Sequence, residues 1–246
     1  MNRLGLVGKN ISYSFSKSYF KKKFEDLELP FSYENFDIEN ISQFPKLIEN
    51  NSDVIGFNVT IPYKESIIPY LDVLDKKAKR IGAVNTITIA KNGKIKGYNT
   101  DCYGFKKSIE PLLKKHHEKA LILGTGGASK AIVYALKELK IKFEFVSRTT
   151  KKGIKFTYDS LTVDDIKSFN IIINCTPIGT FPNVNACPDI PYDGITEAHL
   201  LYDLIYNPEE TKFMRLGKAQ KAQTTNGYEM LVLQAEKAWQ IWNASN

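Results

Sequence analysis

The sequence predicts an α/β protein built from two units, and three features carry that prediction. Short apolar runs of strand length alternate with stretches whose apolar residues recur at helical spacing. One such run, Leu121-Ile122-Leu123, passes into a glycine-rich turn, Gly124-Thr125-Gly126-Gly127, that opens a helical stretch. At 246 residues the chain is long enough for one large or two smaller domains, and it shows no internal repeat or low-complexity segment.

In chain order, residues 3–8 read as a buried strand and 17–29 as an amphipathic helix with Phe20, Phe24 and Leu27 on one face. Residues 31–36 alternate as a strand does, and 41–50 reads as helical, with Pro45 early enough to be tolerated. An apolar strand follows at 54–59 and a helix at 71–81. Residues 86–90 and 94–98 form a hairpin about Asn92-Gly93. The second unit opens on a helix over 101–113, with Phe105, Ile109, Leu112 and Leu113 on one face. A strand at 120–123, a helix to about residue 139 and a strand at 143–146 make a βαβ unit. Further strands are expected at 171–174 and 200–204, with 154–158 a candidate for another. A long apolar-faced helix closes the chain over 226–242. The expected division is 1–100 with 226–246 as one domain and 101–225 as the other.

Composition narrows the function classes. Lys and Arg total 34 against 27 Asp and Glu, a net charge of +7, yet only Arg3, Arg80, Arg148 and Arg215 are arginine. Dispersed lysines without interleaved aromatics argue against a nucleic-acid binder, while a basic chain attracts an anionic small molecule or a phosphorylated cofactor. No apolar run approaches the roughly 18 residues a membrane span needs. The first ten residues are too soon interrupted to be a signal peptide, so a cytoplasmic location is expected. Cys102, Cys175 and Cys187 have neither CxxC spacing nor an even count, and His116, His117 and His199 lack metal-ligand spacing, so no metal is expected. The His116-His117 pair, in a lysine-rich stretch, reads as solvated surface.

The glycine-rich turn sits between a strand and a helix, the context in which backbone N–H groups approach a pyrophosphate at a helix N-terminus. A purely structural turn is the alternative. The next strand ends in Ser147-Arg148-Thr149, with Lys151 and Lys152 nearby and no carboxylate. An acid there would bond the ribose hydroxyls of NAD, whereas a guanidinium suits the 2′-phosphate of NADP. The cofactor reading is therefore NADP(H). In the first unit, Asn58-Val59-Thr60-Ile61-Pro62-Tyr63-Lys64-Glu65 puts polar residues at a buried strand's end. Gly82-Ala83-Val84-Asn85-Thr86, Asn99-Thr100-Asp101 and the pair Ser14 and Ser16 add more. Together they outline a site for a small hydroxylated carboxylate.

These residues resemble one family, the shikimate dehydrogenases, in family order along nearly the whole chain. The motifs already quoted carry the resemblance, together with Asn174-x-Thr176-Pro177-x-Gly179, Tyr202-Asp203-Leu204-x-Tyr206-Asn207-Pro208 and Gly227-x-x-Met230-Leu231-x-x-Gln234-Ala235. The resemblance implies NADPH-dependent reduction of 3-dehydroshikimate to shikimate in aromatic amino-acid biosynthesis. It implies an N-terminal α/β substrate domain, a Rossmann-like NADP-binding domain and a C-terminal helix returning to the first. Carried over by motif, Ser14 and Ser16 hold the substrate carboxylate, and Thr60, Asn85, Asp101 and Gln234 its ring hydroxyls. Asn58 and Tyr206 complete the pocket, and Lys64 is catalytic with Asp101 as its partner. On the cofactor side, Gly124, Thr125, Gly126, Gly127, Ala128 and Ser129 hold pyrophosphate. Ser147, Arg148 and Thr149 hold the adenosine end, and Thr176, Leu204 and Gly227 line the nicotinamide end.

The chain departs from the family pattern in places. Asn10, Tyr13 and Lys17 stand where the first loop usually has Pro, His and Pro, Cys102 replaces a Gly, and Ser147 replaces an Asn. The helix usually found after Arg148-Thr149 is missing, which shortens the chain and is expected to leave the adenine side more open. Reduction of a ring ketone needs a proton donor and a cation at the oxygen, the role expected of Lys64. The alternatives are a quinate/shikimate dehydrogenase using NAD, or a non-catalytic NADP-binding regulator. The expected partner is a small-molecule substrate, with neither nucleic acid nor membrane, and the chain is expected as a monomer or homodimer.

Overall fold

The computed structural model of the chain describes residues 2–12, 14–150 and 152–245. Tyr13 and Lys151, both used in the sequence reading, lie outside the described residues. The chain divides into two compact units, Met1–Thr100 with Ala235–Asn246, and Asp101–Gln234. Among the described residues no helix is long and apolar enough to cross a membrane.

The first unit comprises β1 (Asn2–Gly8), α1 (Phe15–Asp26), β2 (Phe31–Asp37), α2 (Phe44–Glu49), β3 (Val54–Val59), β4 (Val73–Leu74), α3 (Lys76–Ile81), β5 (Thr86–Ile89) and β6 (Ile95–Tyr98). Its sheet runs β2-β1-β3-β5-β6-β4. β1 is parallel to β2 and β3, while β5 runs antiparallel to both β3 and β6. Strand alternation sends Leu4 and Leu6 to a face packed with Phe20, Phe24 and Trp242, and Val7 to a face packed with Phe44, Phe57 and Ile87. Trp242 donates its indole N–H to Ile87 O at 2.9 Å, directly over Gly56, where any Cβ would collide with the ring.

The second unit comprises α4 (Asp101–Ile109), β7 (Lys119–Leu123), α5 (Gly127–Glu138), β8 (Lys142–Ser147), β9 (Phe156–Thr157), α6 (Val163–Lys167), β10 (Ile171–Asn174), β11 (Leu200–Asp203), α7 (Lys212–Ala219) and β12 (Gln223–Thr225). It also holds α8 (Tyr228–Ser245) as far as Gln234. Its six strands are parallel in the order β12-β11-β10-β7-β8-β9. Apolar clusters cover both faces, one around Leu121, Leu123 and Phe213, the other around Phe105, Ile122 and Tyr202. Fully buried strands therefore read as continuous Ile/Leu runs, as parallel sheets require.

Several expected elements differ for local reasons. The helix expected at 17–29 begins at Phe15, capped by Ser14, and ends at Asp26 because Glu28 takes φ +50°. The expected helix at 71–81 is a two-residue strand followed by α3, because Asp75 caps a new helix by accepting Lys77 N at 2.9 Å. Residues 41–50 begin with a 3₁₀ turn, and the helix from Asp101 ends as α at Ile109, passing into a 3₁₀ turn that contains Pro111. The strand considered at 154–158 is only Phe156–Thr157. The short return from β8 gives it room to pair with two residues, where a parallel crossover usually takes a dozen or more. β4, α6, α7 and β12 have no counterpart in the sequence reading, although Thr162 and Asp165 form a capping box that marks the start of α6. His117 is not solvated: it is 5% exposed, its Nδ1 accepts Lys114 N, and its Nε2 lies 3.2 Å from Ala198 O. Burial lowers its pKa, so it is neutral.

Candidate functional site

In the second unit the carboxyl ends of β7, β8, β10 and β11 stand in a row. Gly124 N donates to Val146 O at 3.0 Å, Cys175 N to Leu123 O at 2.9 Å and Leu204 N to Asn174 O at 3.0 Å. Ligands of open parallel sheets sit beyond such ends. A pocket of about 630 Å³ opens there, lined by Gly124, Thr125 and Gly126, by Ser147, Arg148 and Thr149, and by Thr176. Gly124 has φ +95°, and a Cβ on it would press against Thr176 Cγ2. Gly126 caps α5 without any side-chain hydrogen bond, and a Cβ there would meet nothing within 4 Å. The first N–H groups of α5 therefore have no side-chain cap and carry the positive end of the helix dipole. An anionic pyrophosphate fits that arrangement.

The next residues of the motif, Gly127 and Ala128, supply the first of those N–H groups. They begin α5, and Ser129 is buried with its hydroxyl donating back to Gly126 O at 2.7 Å. Ser147 is buried and donates to Thr149 O, whereas Arg148 and Thr149 are exposed. Leu204 and Gly227 lie against each other, and a Cβ on Gly227 would run into Leu204 O.

Asp203 ties the strand ends together, and the motif reading gave it no role. It is fully buried and accepts from Asn174 Nδ2 at 3.0 Å, Ile205 N at 3.1 Å and Thr211 Oγ1 at 2.7 Å. Asn174 in turn accepts from Thr176 N at 3.0 Å and Thr176 Oγ1 at 2.6 Å. One carboxylate thus fixes Thr176 in the pocket and the turn leading to Tyr206. Burial pushes its pKa up to about 6, against the lowering effect of its three donors. Burial, helped by Asp203, also pushes the Cys175 thiol up, so this pocket cysteine stays protonated and is no nucleophile. Cys175, Pro177, Ile178 and Tyr158 line the pocket as well. The first three flank Thr176 in its motif. Nothing in the sequence signalled Tyr158, which enters through the short return after β8.

In the first unit a polar network occupies the ends of β1, β2 and β3. Tyr33 OH donates to Asn58 Oδ1 at 2.7 Å and is hydrogen-bonded to Ser16. Asn58 Nδ2 donates to Asn85 O at 3.2 Å and Thr86 Oγ1 at 3.3 Å, and Asn85 Oδ1 accepts Thr100 N at 2.7 Å. Ser14 Oγ accepts Lys17 N and donates to Asn35 Oδ1 at 2.9 Å. Thr60 N bonds Val7 O at 2.9 Å, which sets Thr60 just past the end of β3. Lys64 is half-buried, and its carbonyl accepts Val84 N at 2.7 Å, tying its loop to the segment that carries Asn85. Burial raises the Tyr33 pKa, so the network is uncharged. It brings together Ser16, Asn58 and Asn85, with Ser14 one helical step away. Neutral donors and acceptors beside an α1 whose first turn holds no acid suit hydroxyls and a carboxylate.

Asp101 and Gln234 fall in the second unit. Asp101 opens α4 and is 8% exposed. One turn later Gly104 meets α8 so closely that a Cβ on it would lie 3.0 Å from Gln234 Cβ. Gln234 is buried, with Nε2 donating to Leu231 O at 2.9 Å. Tyr206 lies in the turn after Leu204 and is half-buried. Among the described residues no group of three His, Cys, Asp or Glu side chains is arranged to hold a metal ion.

The profile of the shikimate dehydrogenase substrate binding domain matches residues 6–87. A shikimate dehydrogenase (NADP(+)) of Clostridium beijerinckii is 40% identical over 98% of this chain and 92% of its own length. One of Methanococcus vannielii is 38% identical over 97% and 90%. Among solved structures, shikimate 5-dehydrogenase of Thermus thermophilus, in complex with NADP(H) and shikimate, superposes with a TM-score of 0.88. That match covers 99% of this chain and 94% of the other at 29% identity.

Proposed function

The chain belongs to the shikimate dehydrogenase family, and on that premise we infer that it is an NADP-dependent oxidoreductase that reversibly reduces 3-dehydroshikimate to shikimate. The observation that carries this reading is the strand-end pocket of the second unit. It has an uncapped helix N-terminus at its glycine turn and a guanidinium, with no carboxylate, at the end of β8.

NADPH, when bound, supplies hydride to the ring carbon. The chain's own residues supply the rest. Lys64 donates a proton to the carbonyl oxygen as negative charge develops there, and takes it back in the reverse direction. Asp101 is the second catalytic group and accepts a hydrogen bond from a ring hydroxyl. Ser14 and Ser16 hold the substrate carboxylate, supported by the positive end of α1. Thr60, Asn85 and Gln234 bind the other hydroxyls, with Tyr206 closing the pocket. Asn58 completes the pocket beside them, its amide held by Tyr33 OH and Asn85 O. Arg148 and Thr149 take the adenosine end of the cofactor, and the uncapped α5 N-terminus takes its pyrophosphate. Monitoring NADPH formation with shikimate and NADP+, beside quinate and beside NAD+, tests the reading. Turnover with shikimate and NADP+ well above both other combinations is the expected result, and equal or better turnover with quinate or NAD+ contradicts it.

A further inference from the structure

The missing helix after Arg148 changes what stands beside the dinucleotide pocket. The chain returns at once through β9, and the next residue, Tyr158, joins the pocket wall. Its ring packs on the apolar cluster of Leu123, Val146 and Phe156, which fixes the direction of the side chain. Its hydroxyl is buried and has no hydrogen-bond partner among the described residues. A buried hydroxyl left unpaired forfeits its hydration with nothing in return, so such groups are few in folded proteins and call for an explanation.

The surroundings supply one. Arg148 and Cys175 lie close enough to act electrostatically on the hydroxyl, and both line the same pocket. Burial pushes the Tyr158 pKa up to about 12, so the group is a donor throughout the physiological range. The Cys175 thiol stays protonated, so it offers no anionic acceptor. What the hydroxyl lacks is an acceptor beside a guanidinium, and a phosphate monoester on Arg148 is one. We propose that Tyr158 is a cofactor-specificity residue, whose hydroxyl donates to the 2′-phosphate of NADP held by Arg148. The assignment rests on the NADP reading above.

Direct binding tests it without relying on turnover. The full chain and its Tyr158→Phe variant are titrated calorimetrically with NADP+, NAD+, adenosine 2′,5′-bisphosphate and adenosine 5′-diphosphate, and their melting temperatures are compared. Phe keeps the ring packing and removes only the hydroxyl. The expected result is a loss of about 10-fold for NADP+ and the 2′,5′-bisphosphate, with NAD+ and the diphosphate unchanged. The Tm without ligand should stay level or rise by about 2–4 °C, because an unpaired polar atom has gone. Unchanged affinity for the 2′,5′-bisphosphate overturns the proposal, as does an equal loss for the diphosphate, which lacks the 2′-phosphate. A lower Tm also overturns it, since the hydroxyl would then be serving the fold. If the unsubstituted chain itself binds NADP+ no better than NAD+, the cofactor reading fails first and this proposal with it. If the unsubstituted chain discriminates and Tyr158→Phe matches it, only the role of Tyr158 fails.

Discussion

At the scale of single residues, one guanidinium and one carboxylate set the character of the dinucleotide pocket. Arg148→Ala removes the guanidinium at the end of β8, and NADP+ binding should weaken roughly 10- to 100-fold with NAD+ little changed, read by titration of both. Equal weakening of both would mean that Arg148 serves the fold of the turn. Asp203 makes a prediction of opposite kind. Its folded-state pKa, about 6, lies above the ordinary value of 3.8 because burial disfavours its charge. Such a group lends stability below pH 4 that is lost as pH rises through about 6, amounting to about 3 kcal/mol. Asp203→Asn keeps an acceptor for Asn174 Nδ2 and Ile205 N and offers an N–H to Thr211 Oγ1. The Tm difference, variant minus wild type, should therefore grow from pH 4.5 to pH 7.5; a difference flat with pH would contradict the burial argument. The motifs name Arg148 because charge at a strand end is visible in a sequence. They miss the role of Asp203 and the presence of Tyr158 because a hydrogen-bond hub and a pocket wall are products of how separate strands end together.

At the scale of elements, long apolar runs are legible and short capped pieces are not. β3, β7 and β10 declare themselves through runs such as Ile171-Ile172-Ile173, which no solvated helix face would tolerate. β4 and α3 read as one helix because the apolar residues from Leu71 to Ile81 keep helical spacing across Asp75, and only the cap geometry at Asp75 breaks it. The start of α1 matters more for function. Because Ser14 caps the helix, Ser16 lies in its first turn and reaches Tyr33, while Ser14 reaches Asn35. Replacing both serines by Ala should raise KM for shikimate about 10-fold or more and also lower the Tm, since a lost N-cap costs about 1 kcal/mol. An unchanged KM with a lowered Tm would reduce the pair to a capping device.

At the scale of the whole molecule, the chain separates its chemistry into two units, each with its own sheet and core. The strand-end pocket with its glycine turn and Arg148 lies in one, and the neutral polar network around Ser16, Asn58 and Asn85 in the other. Ser14→Ala/Ser16→Ala should accordingly leave the dissociation constant for NADP+ unchanged by titration, and a weakened one would show that the two sites do not work separately. The order of the motifs is legible from end to end, because each strand-end cluster is local in sequence. The proposed chemistry turns on the proton step at Lys64, and Lys64→Ala tests it most directly. With saturating NADP+ and shikimate, kcat of the variant should fall at least about 10²-fold while NADP+ affinity and Tm stay near wild type. A wild-type kcat in Lys64→Ala would remove the lysine from the chemistry and contradict the account.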